Sequence, residues 1–156
     1  MILYLVAQPS TLAVEIDIKT SAENFYNTLK GKTQTTVSDI APDHLHKVEF
    51  HEGDGQTSGS VKLVTFKVGD AVENLKKKIH FDDENKIITY IVFEGDLLKH
   101  YNSYKVTLQV TPKGAVGLVR WSWEYEKLND DAPEPIKYLE FLVNITKKIE
   151  AHLIKA

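Results

Sequence analysis

The chain has 156 residues, and its 19 basic and 22 acidic side chains give a formal charge of -3. It contains no cysteine, which excludes disulfides, iron–sulfur clusters, thiolate-bound zinc and cysteine nucleophiles. The near balance of charge excludes the large basic field that binding to a nucleic acid duplex requires, so we expect no nucleic acid partner.

The N-terminal segment is apolar but short, running from Met1 to Ala7. A membrane-spanning helix needs roughly 20 apolar residues, and a secretory signal needs a basic start and a small-residue cleavage site. We therefore expect no membrane span and a cytoplasmic location. The segment from Ile2 to Val6 is expected to be either buried or a weak contact site. A chain of this length can bury a core of its own, which predicts a single domain over residues 1–156.

The first predicted elements are a strand and a short helix. Apolar and polar side chains alternate from Leu12 to Ile18, which is typical of a half-buried strand. Thr20 and Glu23 have the spacing of a capping box, which predicts a helix through Lys30. Gly31 is expected to end this helix.

A second short helix and six strands are predicted next. The helix runs from Val37 to Ala41, before Pro42, because proline disfavours helix at the residue before it. Runs rich in turn-forming residues separate the strands. The predicted strands are Leu45 to His51, Ser60 to Val68, Asn74 to Phe81, Ile87 to Glu94, Tyr101 to Thr111 and Val116 to Glu126.

The chain ends in a predicted helix of about 20 residues, opened by Asp130-Asp131-Ala132-Pro133. Acids at its start and Lys147, Lys148 and Lys155 toward its end would suit the helix dipole. The element order predicts an α+β fold: a seven-stranded, curved antiparallel sheet in meander order around the long helix, with two short helices after the first strand. We expect a cavity between sheet and helix.

Two long segments, Asp83 to Lys99 and Trp121 to Asn129, resemble the plant major latex proteins. The similarity runs from about Leu12 to the C-terminus and includes Ile149 to Leu153. It implies the helix-grip fold shared with the birch-pollen-allergen and pathogenesis-related class ten proteins, whose members bind hydrophobic plant metabolites and hormones.

Two features depart from that family pattern. The loop from Gly53 to Gly59 lacks the adjacent central glycines of the usual Gly-x-Gly-Gly-x-Gly and is one residue longer. Val64 stands where the family often has tryptophan, so we expect that part of the cavity wall to be emptier.

The candidate ligand-binding residues come from strand parity, helical spacing and the family register, which places Tyr90, Ile88 and Val92 in the cavity. Ordinary core packing is the alternative for each of them. The candidates are Lys62, Val64, Phe66, Ile88, Tyr90, Val92, Tyr104, Val106, Trp121, Tyr138, Leu142 and Ile145.

Other kinds of site are weakly supported. His44 and His46 would share one face of a strand, but no third ligand is evident, so we expect no metal and no cofactor. Stacked aromatic residues on the last strand also occur in proteins that bind single-stranded nucleic acid. Here their outward neighbours include Glu124 and Glu126, which would repel phosphate.

Two functions compete. The first is a carrier or storage protein, a monomer or weak dimer, that holds a small hydrophobic molecule and acts in defence or stress response. Tyr90, Tyr104 and Lys62 would orient the ligand. The second is a cofactor-independent cyclase or isomerase in which Lys62 is a base or carbonyl partner, although the Lys and Glu pair of norcoclaurine synthases is not readable here. A hormone receptor is a minor third, because no loop matches the family's gate loops.

Overall fold

The computed structural model describes residues 2–7, 11–31 and 36–155, and for residues 2–7 it describes the backbone alone. Among these residues, none of the helices combines the length and the apolar content needed to cross a bilayer. In chain order the elements are β1 (Ile2–Ala7), β2 (Thr11–Ile18), α1 (Ala22–Lys30), α2 (Val37–Ile40), β3 (Leu45–Glu52), β4 (Ser60–Val68), β5 (Ala71–Asp82), β6 (Ile87–Gly95), a 3₁₀ turn (Asp96–Lys99), β7 (Tyr101–Lys113), β8 (Val116–Lys127) and α3 (Ile136–Lys155).

The strands form one antiparallel sheet in the order β1-β2-β8-β7-β6-β5-β4-β3. All seven predicted strands are present, and the α+β helix-grip fold is confirmed. The meander order holds from β3 to β8. The first predicted strand, β2, pairs with β8 instead, because the segment containing α1 and α2 carries the chain to the opposite edge.

An eighth strand, β1, was not predicted. Its backbone runs antiparallel to β2, with Ile2 opposite Ile16 and Ala7 opposite Thr11. The alternation of side chains that identifies a half-buried strand is missing from this uniformly apolar segment, so periodicity gave no signal. We expected the segment from Ile2 to Val6 to be buried or to form a weak contact site, and this prediction concerns side chains that lie outside the described part of the structure.

The predicted start of α1 is wrong in detail. Ser21 is the N-cap, and its hydroxyl accepts a hydrogen bond from the backbone N–H of Asn24 at 3.1 Å. Glu23 therefore stands one position too early to close a box with Thr20. Gly31 ends the helix as predicted, with φ of 86°, a conformation that glycine adopts without steric cost.

The predicted opening of α3 is also wrong, whereas its length is right. The helix begins at Ile136 and has no acid in its first turn. The side chain of Asn129 accepts the backbone N–H of Asp131 at 3.0 Å, a turn that competes with helix. Pro135 further restricts the residue before it.

The sheet is bent by interruptions of its pairing, between Lys76 and Lys77 on β5 and between Tyr101 and Ser103 on β7, with others on β3. Helix α1 packs on β7 and β8, while α3 packs on β2 and β4. The main core lies beneath the two helices.

Candidate functional site

A cavity of about 350 Å³ lies between α3 and the concave face of the sheet, as the sequence predicts. Most of its wall is aliphatic or aromatic, which is typical of sites for small apolar molecules. Strands β3 to β8, the three helices α1, α2 and α3, and the loop after β3 contribute. The wall consists of Thr28, Leu29, Lys30, Gly31, Thr36, Val37, Ser38, Leu45, Val48, Phe50, Asp54, Gly55, Gln56, Lys62, Val64, Phe66, Leu75, Lys77, Tyr90, Val92, Leu97, Tyr104, Val106, Trp121, Trp123, Tyr138, Phe141, Leu142 and Ile145.

All but one of the candidate residues from the sequence lie on this wall. Strand parity therefore placed the side chains correctly, and their contact with a ligand stays a prediction. The residues on the wall are Lys62, Val64, Phe66, Tyr90, Val92, Tyr104, Val106, Trp121, Tyr138, Leu142 and Ile145.

The exception is Ile88, which faces inward but lies outside the cavity wall. It is fully buried and sits opposite Leu108, which is equally buried. At this end of β6 the core is filled by packed side chains, whereas two residues further along the strand Tyr90 reaches the open space. Parity identifies the face of the strand but not where the packed core gives way to a cavity.

Hydrogen bonds hold the two tryptophans of the wall. The indole N–H of Trp121 donates to the Thr146 hydroxyl at 2.9 Å, and that of Trp123 donates to the Tyr104 hydroxyl at 3.0 Å. The Tyr90 ring stacks on Trp121 with centroids 6.4 Å apart and planes 25° apart. These contacts satisfy both buried donors and fix the ring positions.

The tyrosines of the wall are neutral hydrogen-bonding groups. Burial raises the pKa of Tyr90 and of Tyr104 well above the ordinary phenol value. The Tyr138 hydroxyl donates to Glu73 Oε1 at 2.7 Å, and burial together with this carboxylate raises the pKa of Tyr138. Each phenol therefore keeps its proton at physiological pH and can orient a ligand.

Two lysines also face the cavity, Lys62 on β4 and Lys77 on β5, and the pairing of the strands sets them directly opposite each other. The Lys77 ammonium lies 4.3 Å from the centre of the Tyr90 ring, and the Lys62 ammonium lies 5.3 Å from that of Phe50. Lys77 was missed by sequence reasoning. Its parity with the buried residues Leu75 and Ile79 was a usable signal.

Burial makes both amines easier to deprotonate. Desolvation, with a smaller effect from the charge of Lys62, lowers the pKa of Lys77 to about 7. Desolvation also lowers the pKa of Lys62. A lysine with a pKa near neutrality can act as a cation, as a base or as an amine nucleophile.

A third cavity lysine, Lys30 on α1, is neutralised by a partner. Its ammonium lies 2.6 Å from each carboxylate oxygen of Asp83, and the Tyr26 hydroxyl donates to Asp83 Oδ1 at 2.7 Å. Only 6% of Lys30 is exposed. This cluster anchors α1 to the turn between β5 and β6.

The loop after β3 lies over the cavity beside the end of α1. The Gln56 amide donates to the carbonyl of Gly31 at 2.8 Å, and the Asp54 carboxylate accepts the backbone N–H groups of Gln56 and Thr57. Gly55 has a φ of 79°, and a side chain there would begin 2.3 Å from the Phe50 ring, so both the backbone and the space favour glycine. The loop is thus a braced rim rather than a loose flap.

The histidines do not meet at a centre in the structure. Within the described part of the chain, no group of three or more potential ligands is placed to hold a metal ion. His44 packs against the ring of Phe141, with centroids 5.8 Å apart.

Comparison with known proteins identifies the family. The model of the pathogenesis-related protein Bet v 1 family matches residues 7–156. MLP-like protein 43 of Arabidopsis thaliana is 38% identical over 146 residues, which cover 92% of this chain and 92% of that protein. The chain belongs to the Bet v 1 family, and its relatives there are major latex proteins, as the two sequence segments indicated.

Other relatives agree. MLP-like protein 34 of Arabidopsis thaliana is 39% identical over 92% of this chain, and the chain spans about half of its length, 46%. Ginseng major latex-like protein 151 from Panax ginseng superposes with a TM-score of 0.85 at 33% identity, over 91% of this chain and 95% of that one.

A more distant structure is norcoclaurine synthase from Thalictrum flavum, solved with dopamine and hydroxybenzaldehyde. It superposes with a TM-score of 0.74 over 98% of this chain and 96% of that one, at 20% identity. At that identity the likeness shows a shared fold alone.

Proposed function

We propose that this Bet v 1 family member binds a small, largely apolar plant metabolite or hormone in its cavity and carries or stores it. The observation that carries the proposal is the cavity of about 350 Å³, whose wall is mainly apolar with a few converging polar groups. Burial of an apolar ligand contributes about 25 cal/mol per Å² of surface removed from water. Its family, known for ligand binding, supports the same proposal.

The tyrosines and lysines of the wall supply orientation in this proposal. Tyr90 and Tyr104 are the hydrogen-bonding groups on the sheet side, and Lys62 and Lys77 are the charged ones. We expect the protein to act as a single cytoplasmic domain, as a monomer or weak dimer, and to serve defence or stress responses.

Native mass spectrometry tests the proposal. The protein is purified from plant extract, the retained small molecules are identified, and each is added back to fresh protein. We expect one apolar molecule per chain. Equilibrium dialysis against a panel of plant metabolites that finds no retained ligand would contradict the proposal.

A pair of variants on β4 locates the binding to the cavity. Val64→Trp places a large ring on the wall, whereas Lys67→Trp places the same ring on the exposed face of the same strand. We expect Val64→Trp to weaken ligand retention about tenfold or more and Lys67→Trp to leave it unchanged. Equal retention in both variants would place the ligand elsewhere.

A second function, a cofactor-independent cyclase or isomerase, is favoured by one observation, the lowered pKa of Lys77 beside Tyr90. Such an enzyme would rely on shape, exclusion of water and a single base. Adding the retained molecule or its precursors back to the protein, with product analysis, separates the two functions. If the protein converts an added molecule, and Lys77→Met or Tyr90→Phe abolishes this conversion, the protein is an enzyme. Recovery of unchanged molecules supports the carrier function.

A further inference from the structure

The described part of the cavity wall carries two lysines for which no hydrogen bond or ion pair to another protein group is found. We propose that the cavity selects apolar molecules bearing one acidic group, and that Lys62 and Lys77 bind this group together. This inference rests on the proposed function and narrows its ligand class.

The pairing of β4 and β5 places the two lysines side by side on the cavity face of the sheet. Lys62 and Lys77 are cross-strand partners of β4 and β5, so both side chains project from the same face of the sheet. In this row Lys62 is flanked by Phe50 on β3, and Lys77 by Val92 on β6. Two cations in an apolar row form a local charge that an anion can balance.

The other titratable groups of the wall do not balance this charge. Lys30 is paired with Asp83, and Tyr90, Tyr104 and Tyr138 are neutral phenols. Asp54 is the remaining titratable wall residue. Backbone N–H groups, first that of Gln56, hold its carboxylate and lower its pKa. The aromatic contacts of Lys62 and Lys77 offset only part of the cost of burying a cation.

An anion between the lysines would also change their protonation. Without an anion, both ammonium groups are desolvated, and the charge of Lys62 adds a smaller effect that helps to lower the pKa of Lys77 to about 7. A bound carboxylate or sulfonate favours the charged form of both amines and so raises both pKa values. Binding is therefore coupled to proton uptake near and above neutral pH, and the affinity for an anion falls as pH rises.

A matched pair of fluorescent probes tests the inference. 8-Anilinonaphthalene-1-sulfonate and N-phenyl-1-naphthylamine share the same ring system and differ by the sulfonate, which stays ionised throughout the range used. Both are titrated at pH 6.5 and pH 9 into the wild type, Lys77→Met and Lys62→Met/Lys77→Met. Lys78→Met is the control, because Lys78 is the exposed neighbour on the same strand.

We expect the double variant to bind the sulfonate at least about tenfold more weakly than the wild type does, with Lys77→Met between them. The neutral probe should bind wild type and variants alike, within about threefold, and Lys78→Met should match the wild type for both. In the wild type only the sulfonate should bind more weakly at pH 9 than at pH 6.5. Near-ultraviolet circular dichroism shows whether each variant is folded.

Three results would overturn the inference. Equal losses for both probes would mean that the lysines shape the wall rather than recognise charge. An unchanged sulfonate affinity in the double variant, with the neutral probe bound by the wild type, would refute the acidic-group inference and leave the proposed function standing. If neither probe bound the wild type, the proposed function would fail as well.

Discussion

Two regions of one sheet differ in how deeply their side chains are buried, although the side chains of every strand alternate between the two faces. In β8 every second residue from Gly117 to Tyr125 is buried, and the indole N–H groups of both tryptophans are hydrogen-bonded to neighbours. In β3 no residue is buried, although its apolar side chains also include Leu45, Val48 and Phe50. We refer to β2, β7 and β8 as the packed half and to β3, β4 and β5 as the open half.

The difference follows from which helices cover each half. Helix α1 packs on β7 and β8, and α3 packs on β2 and on one strand of the open half, β4. The short helix α2 contacts β3. Where the curved sheet turns away from α3, side chains alone do not fill the space, and the cavity remains. The cavity in this fold therefore comes from incomplete coverage of a sheet rather than from an added motif.

The largest effect is expected from shortening two leucine side chains of α3, one packed in the core and one on the cavity wall. Leu139 is fully buried away from the cavity, whereas Leu142 lies on the cavity wall. We expect Leu139→Ala to lower the free energy of unfolding by about 3–4 kcal/mol, and Leu142→Ala by about 1 kcal/mol because one side of Leu142 already faces space. Urea denaturation measures both, and equal losses would mean that Leu142 is packed as completely as Leu139.

Removing a buried cation from the open half should stabilise the protein. Lys77→Met is expected to raise the free energy of unfolding by roughly 2–4 kcal/mol at pH 6, because the folded state there bears the cost of a desolvated ammonium. The folded pKa is about 7 and the ordinary value is 10.5. Between these values the unfolded state binds more protons, so wild-type stability rises with pH and the advantage of the variant shrinks.

Urea denaturation at pH 6 and pH 10 checks that sign, with Lys78→Met as the matched exposed control. The control should change the free energy of unfolding by less than about 0.5 kcal/mol at either pH. A gain for Lys77→Met that was equal at both pH values would contradict a charge effect.

A smaller contrast concerns the two indole hydrogen bonds. Thr146→Val removes the acceptor of Trp121 from a fully buried site and is expected to cost about 1–2 kcal/mol. Tyr104→Phe removes the acceptor of Trp123 at the cavity wall, where water can replace it, so the expected cost is about half as large. A greater loss for Tyr104→Phe in thermal unfolding would mean that the cavity is dry at that point.

The smallest stability effect is expected at the rim. Gln56→Ala removes the bond to Gly31 and should change the free energy of unfolding by less than about 0.5 kcal/mol. Opening of the rim should become easier, so stopped-flow binding of N-phenyl-1-naphthylamine should speed up several-fold, as for other lid contacts. The control is Gln109→Ala on the exposed face of β7. Equal probe-binding rates in both variants would mean that the Gln56 contact does not limit entry into the cavity.

The sequence predicted most of the fold because its strands are amphipathic and its turns are marked. Alternation identified the strand from Leu12 to Ile18, and turn residues marked the strand from Ser60 to Val68. Strand parity then placed Val64 and Phe66 on the cavity wall. The strand Ile2–Ala7 was missed because every residue in it is apolar, so the segment lacks the alternation that indicates a strand.

The candidate site was less predictable where the surroundings of a residue depend on other segments of the chain. Lys77 lies within the run Lys76–Lys78, and consecutive charges normally mark a solvated surface. Its desolvation follows from the cavity wall that surrounds it and not from its own segment. Ile88 was placed on the correct face, but the boundary between packed core and cavity depends on side chains of other strands. Lys62 and Lys77 face each other because β4 and β5 form a hairpin whose tight turn at Gly69 and Asp70 sets the register.

The central claim is that a small molecule binds inside, between α3 and the sheet. A crystal structure of the chain with N-phenyl-1-naphthylamine tests it most directly. We predict probe density in contact with Tyr90 and Leu142 on the cavity wall. Density confined to the outer groove of the sheet, where Ile91 and Phe93 are 38% and 48% exposed, would contradict it.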